Sequence, residues 1–333
     1  MYANGSFRAL LIDKVEGGQV SHQVSTLAVD DLPEEEVLVK VDFSSLNYKD
    51  VLAICGHPGI IRRYPHVPGI DAVGTVAMST NPAVPEKSKV LVTGFELGTS
   101  WWGGLSQYIR VPGEWVVPLP EHMSPEQGMS LGTAGLTAAL CIDALIRNGI
   151  APESGEILVS GATGGVGSIS AAILSKLGYQ VTALTRKSDQ DSYLEMIGVS
   201  RVVSHEQLAN ESGRSLGKEE WAGAIDTLGG NALANILKRI RYGGSVASCG
   251  MASGTELTTT VFPFILRGVN LLGIDSVQCP LTKRRALWGK LASEWSVSCL
   301  GDITQFVELE GVVPAIKSFL AGERVGRTVV TVD

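Results

Sequence analysis

The two parts of this chain differ in the spacing of their hydrophobic positions. Up to about residue 120, short segments with the two-residue period of β-strands alternate with turns, as in Val37–Phe43, Val73–Val76 and Lys89–Thr93. Most of the 14 prolines precede residue 126, and proline is frequent in turns. The pattern predicts a turn-rich β domain for this part of the chain.

From residue 124 the pattern changes to helices that alternate with short apolar strands. Ser124 and Pro125 have the residue types of a helix N-cap and of the first helical position. Six apolar segments of strand length follow, at Ile157–Ser160, Gln180–Leu184, Arg201–Val203, Ala222–Asp226, Ser245–Ser248 and Val269–Ile274. This alternation predicts a doubly wound parallel sheet.

A glycine-rich turn, Gly161–Ser168, lies between the first of these strands and a helical segment that ends near Gly178. The order strand, glycine-rich turn, helix, strand predicts a dinucleotide site, with the pyrophosphate at the positive end of the helix. The residues whose backbone would approach the pyrophosphate are Thr163, Gly164, Gly165, Val166 and Gly167. Ala162 replaces the first glycine of the usual fingerprint. The turn lacks the Gly-Lys-[Ser/Thr] ending of a P-loop, which excludes a nucleotidase of that class.

The next strand ends in Thr185-Arg186-Lys187. An NAD-preferring site carries Asp or Glu at this point for the ribose hydroxyl, whereas a neutral hydroxyl followed by two cations suits a 2′-phosphate. The sequence therefore predicts NADPH as the coenzyme. His205 is a further candidate for the adenosine pocket if it follows the third strand, although a lone histidine is more often incidental.

Composition narrows the class of protein. A chain of 333 residues is long enough for two domains, and a net charge of −7 argues against nucleic acid as the main partner. The five cysteines are scattered without C-x-x-C spacing, which argues against a disulfide framework and a cysteine-based zinc lobe. The N-terminus lacks a signal-peptide pattern, and no uninterrupted apolar stretch has membrane-spanning length. We expect a cytoplasmic protein that does not enter a membrane.

Several motifs together resemble a known family. They are Ser45–Asp50, Pro68–Asp71, Gly132–Ala138, Gly161–Ser168 and Gly326–Thr328. This set resembles the zinc-free quinone oxidoreductase branch of the medium-chain dehydrogenase/reductase superfamily, and the similarity covers essentially the whole chain. Further segments are similar to the acrylyl-CoA reductase group within that branch, namely Asn47–Asp50, Ile60–Arg62, Trp102–Leu105, Trp221–Thr227, Pro263–Arg267 and Gly273–Val277.

The resemblance implies an α/β fold with two domains and an active site in the cleft between them. A GroES-like β-rich catalytic domain would comprise residues 1–123 and 298–333, and a Rossmann NADPH-binding domain residues 124–297. It also implies a homodimer formed partly through edge strands of the two nucleotide sheets. The C-terminal segment, residues 326–332, has a strand pattern and is expected to return to the first domain.

The resemblance also bears on metal binding. Zinc-dependent relatives hold a catalytic zinc with Cys and His ligands of the first domain. The corresponding neighbourhoods here, Asn47-Tyr48 and Gly69-Ile70-Asp71, contain neither residue type, and Cys55, His57 and His66 lack a recognisable ligand spacing. We therefore expect no catalytic metal.

Reduction of an activated alkene requires a hydride donor, hydrogen-bond donors for the enolate oxygen and a proton for the α-carbon. In the family a tyrosine at the position of Tyr48 lies against the cofactor, with Asn47 as a polar contact beside it. The Tyr48 hydroxyl could orient the cofactor, donate to the enolate or protonate carbon, with help from Lys49 because a phenol is a weak acid. The alternative is that Asn47 and Tyr48 only cap a loop. Asp50 and Asp71 are expected to hold loops through hydrogen bonds to the backbone.

Further candidates follow from the resemblance. Thr133 either touches the nicotinamide amide or caps a helix. Segments that carry Met251, Ile265 and Ser276 pass the nicotinamide half of the cofactor, although Met251 and Ile265 also suit core positions. Candidates for binding the phosphates of coenzyme A are Arg62 and Arg63, or Lys283-Arg284-Arg285, although charge runs are usually solvent-exposed. Trp102 is a candidate for lining the substrate cleft, although a glycine-flanked tryptophan often fills a domain interface.

The leading hypothesis is NADPH-dependent reduction of the C=C bond of a short enoyl-CoA, acrylyl-CoA to propionyl-CoA, by hydride transfer to the β-carbon and protonation of the α-carbon. The alternative within enzymes is NADPH reduction of a quinone or an enone. The alternative of another class is a non-catalytic NADPH-binding structural or regulatory protein. The intact Asn47-Tyr48 and Thr185–Lys187 segments disfavour that last class.

Overall fold

The computed structural model describes residues 5–15, 19–187, 189–209 and 214–332. It divides into two compact units, each with its own hydrophobic core. The β unit comprises Met1–Thr133, Val277–Ala292 and Leu300–Asp333, and the α/β unit comprises Ala134–Ser276 and Ser293–Cys299.

The elements alternate as the hydrophobic pattern predicts, with strands dominating the first third of the chain. In chain order the strands are β1 Ser6–Lys14, β2 Val20–Ala28, β3 Val37–Ser45, β4 Asp71–Ser79, β5 Lys89–Thr93, β6 Tyr108–Val111, β7 Val116–Pro118, β8 Ile157–Ser160, β9 Val181–Leu184, β10 Val199–Val203, β11 Trp221–Asp226, β12 Ile240–Ser248, β13 Asn270–Gly273, β14 Thr304–Glu308 and β15 Arg327–Thr331. The helices are α1 Tyr48–Ile54, α2 Pro125–Arg147, α3 Gly165–Lys176, α4 Asp191–Met196, α5 His205–Ala209, α6 Gly230–Leu237, α7 Phe262–Arg267, α8 Leu281–Ala292 and α9 Val312–Leu320.

The β unit contains an antiparallel hairpin, β1 with β2, and a seven-stranded sheet of order β14-β15-β3-β4-β5-β7, in which β6 also pairs with β3. Alternate residues of β3, among them Val37, Val39 and Val41, enter the core, and full burial of such a side chain stabilises the fold by about 1.5–3 kcal/mol. The predicted return of the C-terminal strand is confirmed, because β15 pairs antiparallel with β3 through Val329 opposite Ser45.

The α/β unit contains a six-stranded parallel sheet of order β10-β9-β8-β11-β12-β13. This is the strand order 3-2-1-4-5-6 of the dinucleotide-binding doubly wound fold, so the predicted fold class is confirmed. The six predicted strands are all present. β12 begins at Ile240, before the predicted segment, and the pairing of β11 with β12 shifts register at that end.

The helix α2 is kinked at Gly132, which has φ 51° and ψ −151°. A Cβ atom at this position would lie 2.5 Å from Asp71 Oδ2 and 2.7 Å from Ser45 Oγ, so the close approach as well as the backbone conformation requires glycine. The predicted N-cap is confirmed, since Ser124 Oγ accepts from Gln127 N at 3.2 Å. By length and composition α2 could cross a membrane, but 83% of its most apolar window is buried, as in the core helix of a globular protein.

The units differ from the predicted domains in three segments, of which the shortest, residues 298–299, groups with the α/β unit. Residues 124–133 group with the β unit, where Thr133 N donates to Asp71 Oδ2 at 2.8 Å. Residues 277–292 group with it as well, because α8 carries the fully buried Arg284, which donates to the carbonyl of Thr93 at 2.7 Å. The guanidinium also lies 4.5 Å from the ring centroid of Phe95. Arg284 therefore holds α8 in the β unit and is not available to coenzyme A phosphates.

Candidate active site

The turn between β8 and α3 has the shape that close approach of a ligand to the backbone requires. Gly161 has a positive φ of 62°, Gly164 is the extended N-cap, and α3 begins at Gly165. A Cβ atom on Gly167 would lie 2.2 Å from the carbonyl oxygen of Gly161, so only glycine permits the helix to begin this close to β8.

The same turn fits the pyrophosphate of a dinucleotide. A Cβ atom on Gly164 would meet only the carbonyl oxygen of Gly161, at 3.3 Å, so the outer side of the turn is open. The first N–H groups of the twelve-residue α3 have no partner within the helix and carry its positive dipole end. Ser168 Oγ braces the turn by donating to the carbonyl of Ala162 at 3.0 Å, and Tyr193 donates its hydroxyl hydrogen to that Oγ at 2.7 Å.

A buried carboxylate, Asp226, locks the carboxyl ends of β8 and β11 together. It accepts from Ser160 Oγ at 2.8 Å and from Gly229 N at 2.9 Å. Thr227 Oγ1 donates to the carbonyl of Ser160 at 2.8 Å. Burial raises the pKa of Asp226, while the hydrogen bonds that it accepts from Ser160 and Gly229 act in the opposite direction. Its role here is to shape the sheet edge that carries the glycine turn, which strand pattern alone does not reveal.

The predicted 2′-phosphate residues lie together with His205 at the carboxyl ends of β9 and β10. Thr185 is buried and its Oγ1 accepts from Lys187 N at 3.1 Å, whereas Arg186 is exposed. Burial lowers the pKa of Lys187, Asp189 opposes this, and the charge of Arg186 adds to it. Burial and then the charge of Arg186 lower the pKa of His205. The cationic groups therefore repel one another, and an added anion would relieve that repulsion.

The three candidates for the nicotinamide half have different exposures. Met251 and Ile265 are 47% and 67% exposed, so the core-packing interpretation of these two residues is wrong. Ser276 is half-buried. The two exposed side chains are available to a ligand or to another protomer.

In the β unit, Asn47 and Tyr48 begin α1, and their side chains have different environments. Tyr48 is 41% exposed, and its ring centroid lies 6.3 Å from that of Phe319 on α9, which is also 41% exposed. Asn47 instead directs its amide inward, where Nδ2 donates to Asp71 Oδ2 at 2.8 Å and Oδ1 lies 3.3 Å from Arg327 Nη1. The sequence pattern missed Phe319, since an aromatic residue near the end of an amphipathic helix has no distinguishing signal.

Asp71 is the centre of a buried hydrogen-bond network that links distant segments of the β unit. Its Oδ2 accepts from Ser45 Oγ, Asn47 Nδ2 and Thr133 N at 2.7–2.8 Å, and its Oδ1 accepts from Thr133 Oγ1 at 2.6 Å. Arg327, almost fully buried, lies 4.0 Å from Oδ2 and donates to Ser45 Oγ at 2.8 Å. The expected bonds to backbone are therefore accompanied by bonds to three side chains. We call these residues with Asp71 the Asp71 network.

Asp50 lies beside this network and is fully buried. It accepts from Asn47 N at 2.8 Å and from Ile70 N at 2.9 Å, as expected of a loop-holding carboxylate. Burial raises its pKa to about 7, the nearby charge of Asp71 contributes in the same direction, and its hydrogen bonds oppose the rise.

The proposed substrate residues of the β unit are not in equivalent positions. Arg62 and Arg63 are exposed and are accessible to an anionic ligand. Trp102 is half-buried and packs against the core cluster that contains Phe7 and Leu32, which favours the packing interpretation for this residue.

Comparisons with known proteins show the family to which this chain belongs. A family described as "Alcohol dehydrogenase GroES-like domain" matches residues 33–121, and one described as "Zinc-binding dehydrogenase" matches residues 165–292. A putative quinone oxidoreductase of Bacillus subtilis is 46% identical over 97% of this chain and 98% of its own length. An acrylyl-CoA reductase of Ruegeria pomeroyi is 43% identical over 98% of this chain and 99% of its own.

A crystal structure of an oxidoreductase from Salmonella enterica in complex with NADP has a TM-score of 0.95 and 42% identity, and covers 98% of this chain and 100% of that one. The chain belongs to the zinc-free, quinone oxidoreductase-like branch of the medium-chain dehydrogenase/reductase superfamily, in the group that contains the acrylyl-CoA reductases.

The donor set of the β unit does not fit the zinc that the second family description names. Among the described residues, no group of three or more His, Cys, Asp or Glu side chains could hold a metal ion. Cys55 is exposed, whereas His66 is buried. The oxygens of Asp71 accept hydrogen bonds from Ser45, Asn47 and Thr133 instead.

Proposed function

We propose that this chain is an NADPH-dependent reductase of short enoyl-CoA thioesters, with acrylyl-CoA as the first substrate to test. The observation that carries the coenzyme assignment is the cluster of Thr185, Arg186, Lys187 and His205 at the carboxyl ends of β9 and β10. The near-full-length similarity to an acrylyl-CoA reductase supports the substrate class.

The α/β unit supplies the residues that hold the coenzyme. The backbone N–H groups from Thr163 to Gly167 bind the pyrophosphate at the start of α3. Arg186 and Lys187 bind the 2′-phosphate through charge-assisted hydrogen bonds, and His205 flanks them. Ser276 and the exposed Met251 and Ile265 contact the nicotinamide half. When bound, NADPH supplies the hydride that the β-carbon receives.

A crystal structure of the Bacillus subtilis relative, at 45% identity, has NAD bound, whereas the Salmonella enterica structure has NADP bound. Binding of a dinucleotide by the family fold does not by itself select the phosphorylated form. The selection depends on the side chains after β9.

The β unit supplies the polar groups for the reacting atoms. Tyr48 is exposed on one side and held by Phe319 on another, so its hydroxyl can donate to the developing enolate oxygen of the thioester. Asn47 acts on the reaction through position rather than contact, because its amide is engaged with Asp71 and Arg327. Thr133 contacts the nicotinamide amide. The proton for the α-carbon comes from Tyr48 or from water.

Acyl-CoA recognition involves the accessible cations of the β unit. Arg62 and Arg63 are exposed and lie in the segment that follows α1, where guanidinium groups suit the phosphates of coenzyme A. Phe319 offers an apolar surface beside Tyr48 for a short acyl group.

Stopped-flow oxidation of NADPH with acrylyl-CoA and with a benzoquinone tests the activity. We expect turnover of the thioester to be faster, and we expect Tyr48→Phe to slow it while NADPH still binds. Turnover of the quinone that is faster by orders of magnitude would establish the quinone or enone alternative. Tight NADPH binding without turnover of any activated alkene would establish the non-catalytic alternative.

We also propose that the protein is a cytoplasmic homodimer. β13 is an edge strand of the parallel sheet, with Leu271 exposed on it. The neighbouring α7 exposes further apolar side chains, Phe262 and Leu266. An exposed strand edge beside apolar side chains is a surface that soluble proteins usually cover, and a second copy of the same strand would cover it symmetrically.

A further inference from the structure

The hydrogen bonds of Asp71 determine which kind of bond Thr133 can make with a bound molecule. Asp71 receives N–H donors from Asn47 and Thr133 and lies near the guanidinium of Arg327. A carboxylate can only accept hydrogen bonds. In the 2.6 Å contact between Thr133 Oγ1 and Asp71 Oδ1, the hydroxyl of Thr133 is therefore the donor.

We infer that Asp71 is a positioning residue that makes Thr133 a hydrogen-bond acceptor toward the carboxamide NH₂ of the nicotinamide. The inference rests on the proposed function, in which Thr133 contacts that group. A threonine hydroxyl has one hydrogen and two lone pairs. With the hydrogen on Asp71, Thr133 offers lone pairs, which attract an N–H group and repel a carbonyl oxygen. The carboxamide carries both groups, so this polarity selects one of its two orientations.

The surroundings of Asp71 make this polarity rigid. The kink at Gly132 brings Thr133 onto the carboxylate, and any side chain at residue 132 would collide with Asp71. Ser45 Oγ donates to Asp71 Oδ2 and accepts from Arg327, so it too has a fixed orientation. Asp71 is fully buried and Thr133 is half-buried, so the bond between them is largely shielded from solvent.

Replacing Asp71 by asparagine should invert the polarity. The side-chain oxygen of asparagine would take the place of Oδ2, because three donors converge there. Its NH₂ group would then face Thr133 Oγ1 and donate to it. The hydroxyl hydrogen of Thr133 would be released from this bond, and Thr133 would present a donor to the nicotinamide.

The test compares NADPH with its reduced 3-acetylpyridine analogue, in which a methyl group replaces the carboxamide NH₂. Calorimetric binding and single-turnover hydride transfer are measured for wild type, Asp71→Asn, Thr133→Val and Thr133→Ser. We expect Thr133→Val to weaken the binding of NADPH by about tenfold, which is the equivalent of one hydrogen bond. The same variant should change the binding of the analogue little. Thr133→Ser, which keeps the hydroxyl, should bind NADPH as the wild type does. Asp71→Asn should remove the preference for NADPH over the analogue, because both coenzymes have a carbonyl oxygen that can accept from the Thr133 hydroxyl.

Asp50→Asn is the matched control, because it changes a neighbouring buried carboxylate that accepts from the backbone N–H groups of Asn47 and Ile70, whereas Asp71 accepts from Thr133. This variant should leave the ratio of the affinities for NADPH and for the analogue unchanged. Equal loss of both coenzymes in Asp71→Asn, or in Thr133→Val, would overturn the inference. If Asp71→Asn does not fold, the two Thr133 variants still decide whether Thr133 accepts from the carboxamide. Coenzyme binding needs no alkene, so a failure of the proposed enoyl-CoA activity is seen separately.

Discussion

Removal of the Arg186 side chain tests the physical basis of coenzyme choice. Arg186 is exposed, so its hydrogen bond to a 2′-phosphate lies at the weak end of the range of about 1.5–3 kcal/mol for bonds to charged groups. About 1.4 kcal/mol corresponds to a factor of ten in affinity. We therefore expect Arg186→Ala to weaken the binding of NADPH about tenfold and to leave the binding of NADH almost unchanged, as measured by calorimetry.

A second readout comes from His205, whose pKa is lowered by burial and then by the charge of Arg186. A cation disfavours the protonated imidazole, so its removal should raise the pKa of His205 in an NMR titration without coenzyme. Arg201→Ala is the matched control, because Arg201 lies on the neighbouring β10 but pairs with Glu156 at 2.7 Å. That variant should leave the ratio of NADPH to NADH affinity unchanged.

The result that would refute the reasoning is equal loss of both coenzymes in Arg186→Ala. It would mean that Arg186 supports the fold of the site rather than the phosphate. Equal affinity of the wild-type protein for NADPH and NADH would refute the assignment of Thr185-Arg186-Lys187 as a whole.

Three further predictions concern the reaction, stability and assembly. Tyr48→Phe should lower kcat for acrylyl-CoA by about a hundredfold, the usual loss for one donor to an oxyanion, with the NADPH dissociation constant unchanged in fluorescence titrations. The raised pKa of Asp50, about 7 in the folded state, means that its contribution to stability is complete at low pH and is lost as pH rises to about 7. The difference in unfolding free energy between wild type and Asp50→Asn should therefore change by up to roughly 4 kcal/mol between about pH 4 and pH 7 in urea titrations, and a flat difference would contradict the raised pKa. Leu271→Lys should yield a monomer in analytical ultracentrifugation, whereas Val202→Lys, on the opposite edge strand β10, should remain a dimer.

The fold was predictable where its signal is local. Each strand of the α/β unit is a short apolar segment, and the turn Gly161–Ser168 has residues that only a close backbone approach explains. The edge strand β14 lacks such a signal, because it is largely exposed and has no strong alternation of apolar and polar residues. The place of residues 277–292 depends on Arg284 reaching Thr93, which is 191 residues away.

In the candidate site, too, some features follow from the local sequence and others depend on distant residues. The cation cluster after β9 follows from its position next to a recognisable turn. The orientation of Asn47 does not, because it depends on Asp71, 24 residues away, and on Arg327, 280 residues away. A sequence pattern identifies a polar side chain but not which of its hydrogens are engaged. For that reason we propose a positioning role for Asn47 in place of the predicted direct contact.

The Asp71 network illustrates why a buried ion pair can matter for geometry more than for stability. Arg327 and Asp71 both lose their hydration, and a well-packed apolar replacement of such a pair is often neutral or stabilising. The burial itself lowers the pKa of Arg327, although the charges of Asp71 and Asp50 oppose this. What the pair provides is a set of directed bonds: Arg327 donates to the carbonyls of Ser130 and Leu46 while Asp71 accepts from Thr133. These bonds fix β3, α1, β15 and the start of α2, up to Thr133, in one arrangement, so the hydroxyl of Thr133, the proposed nicotinamide contact, has a single polarity.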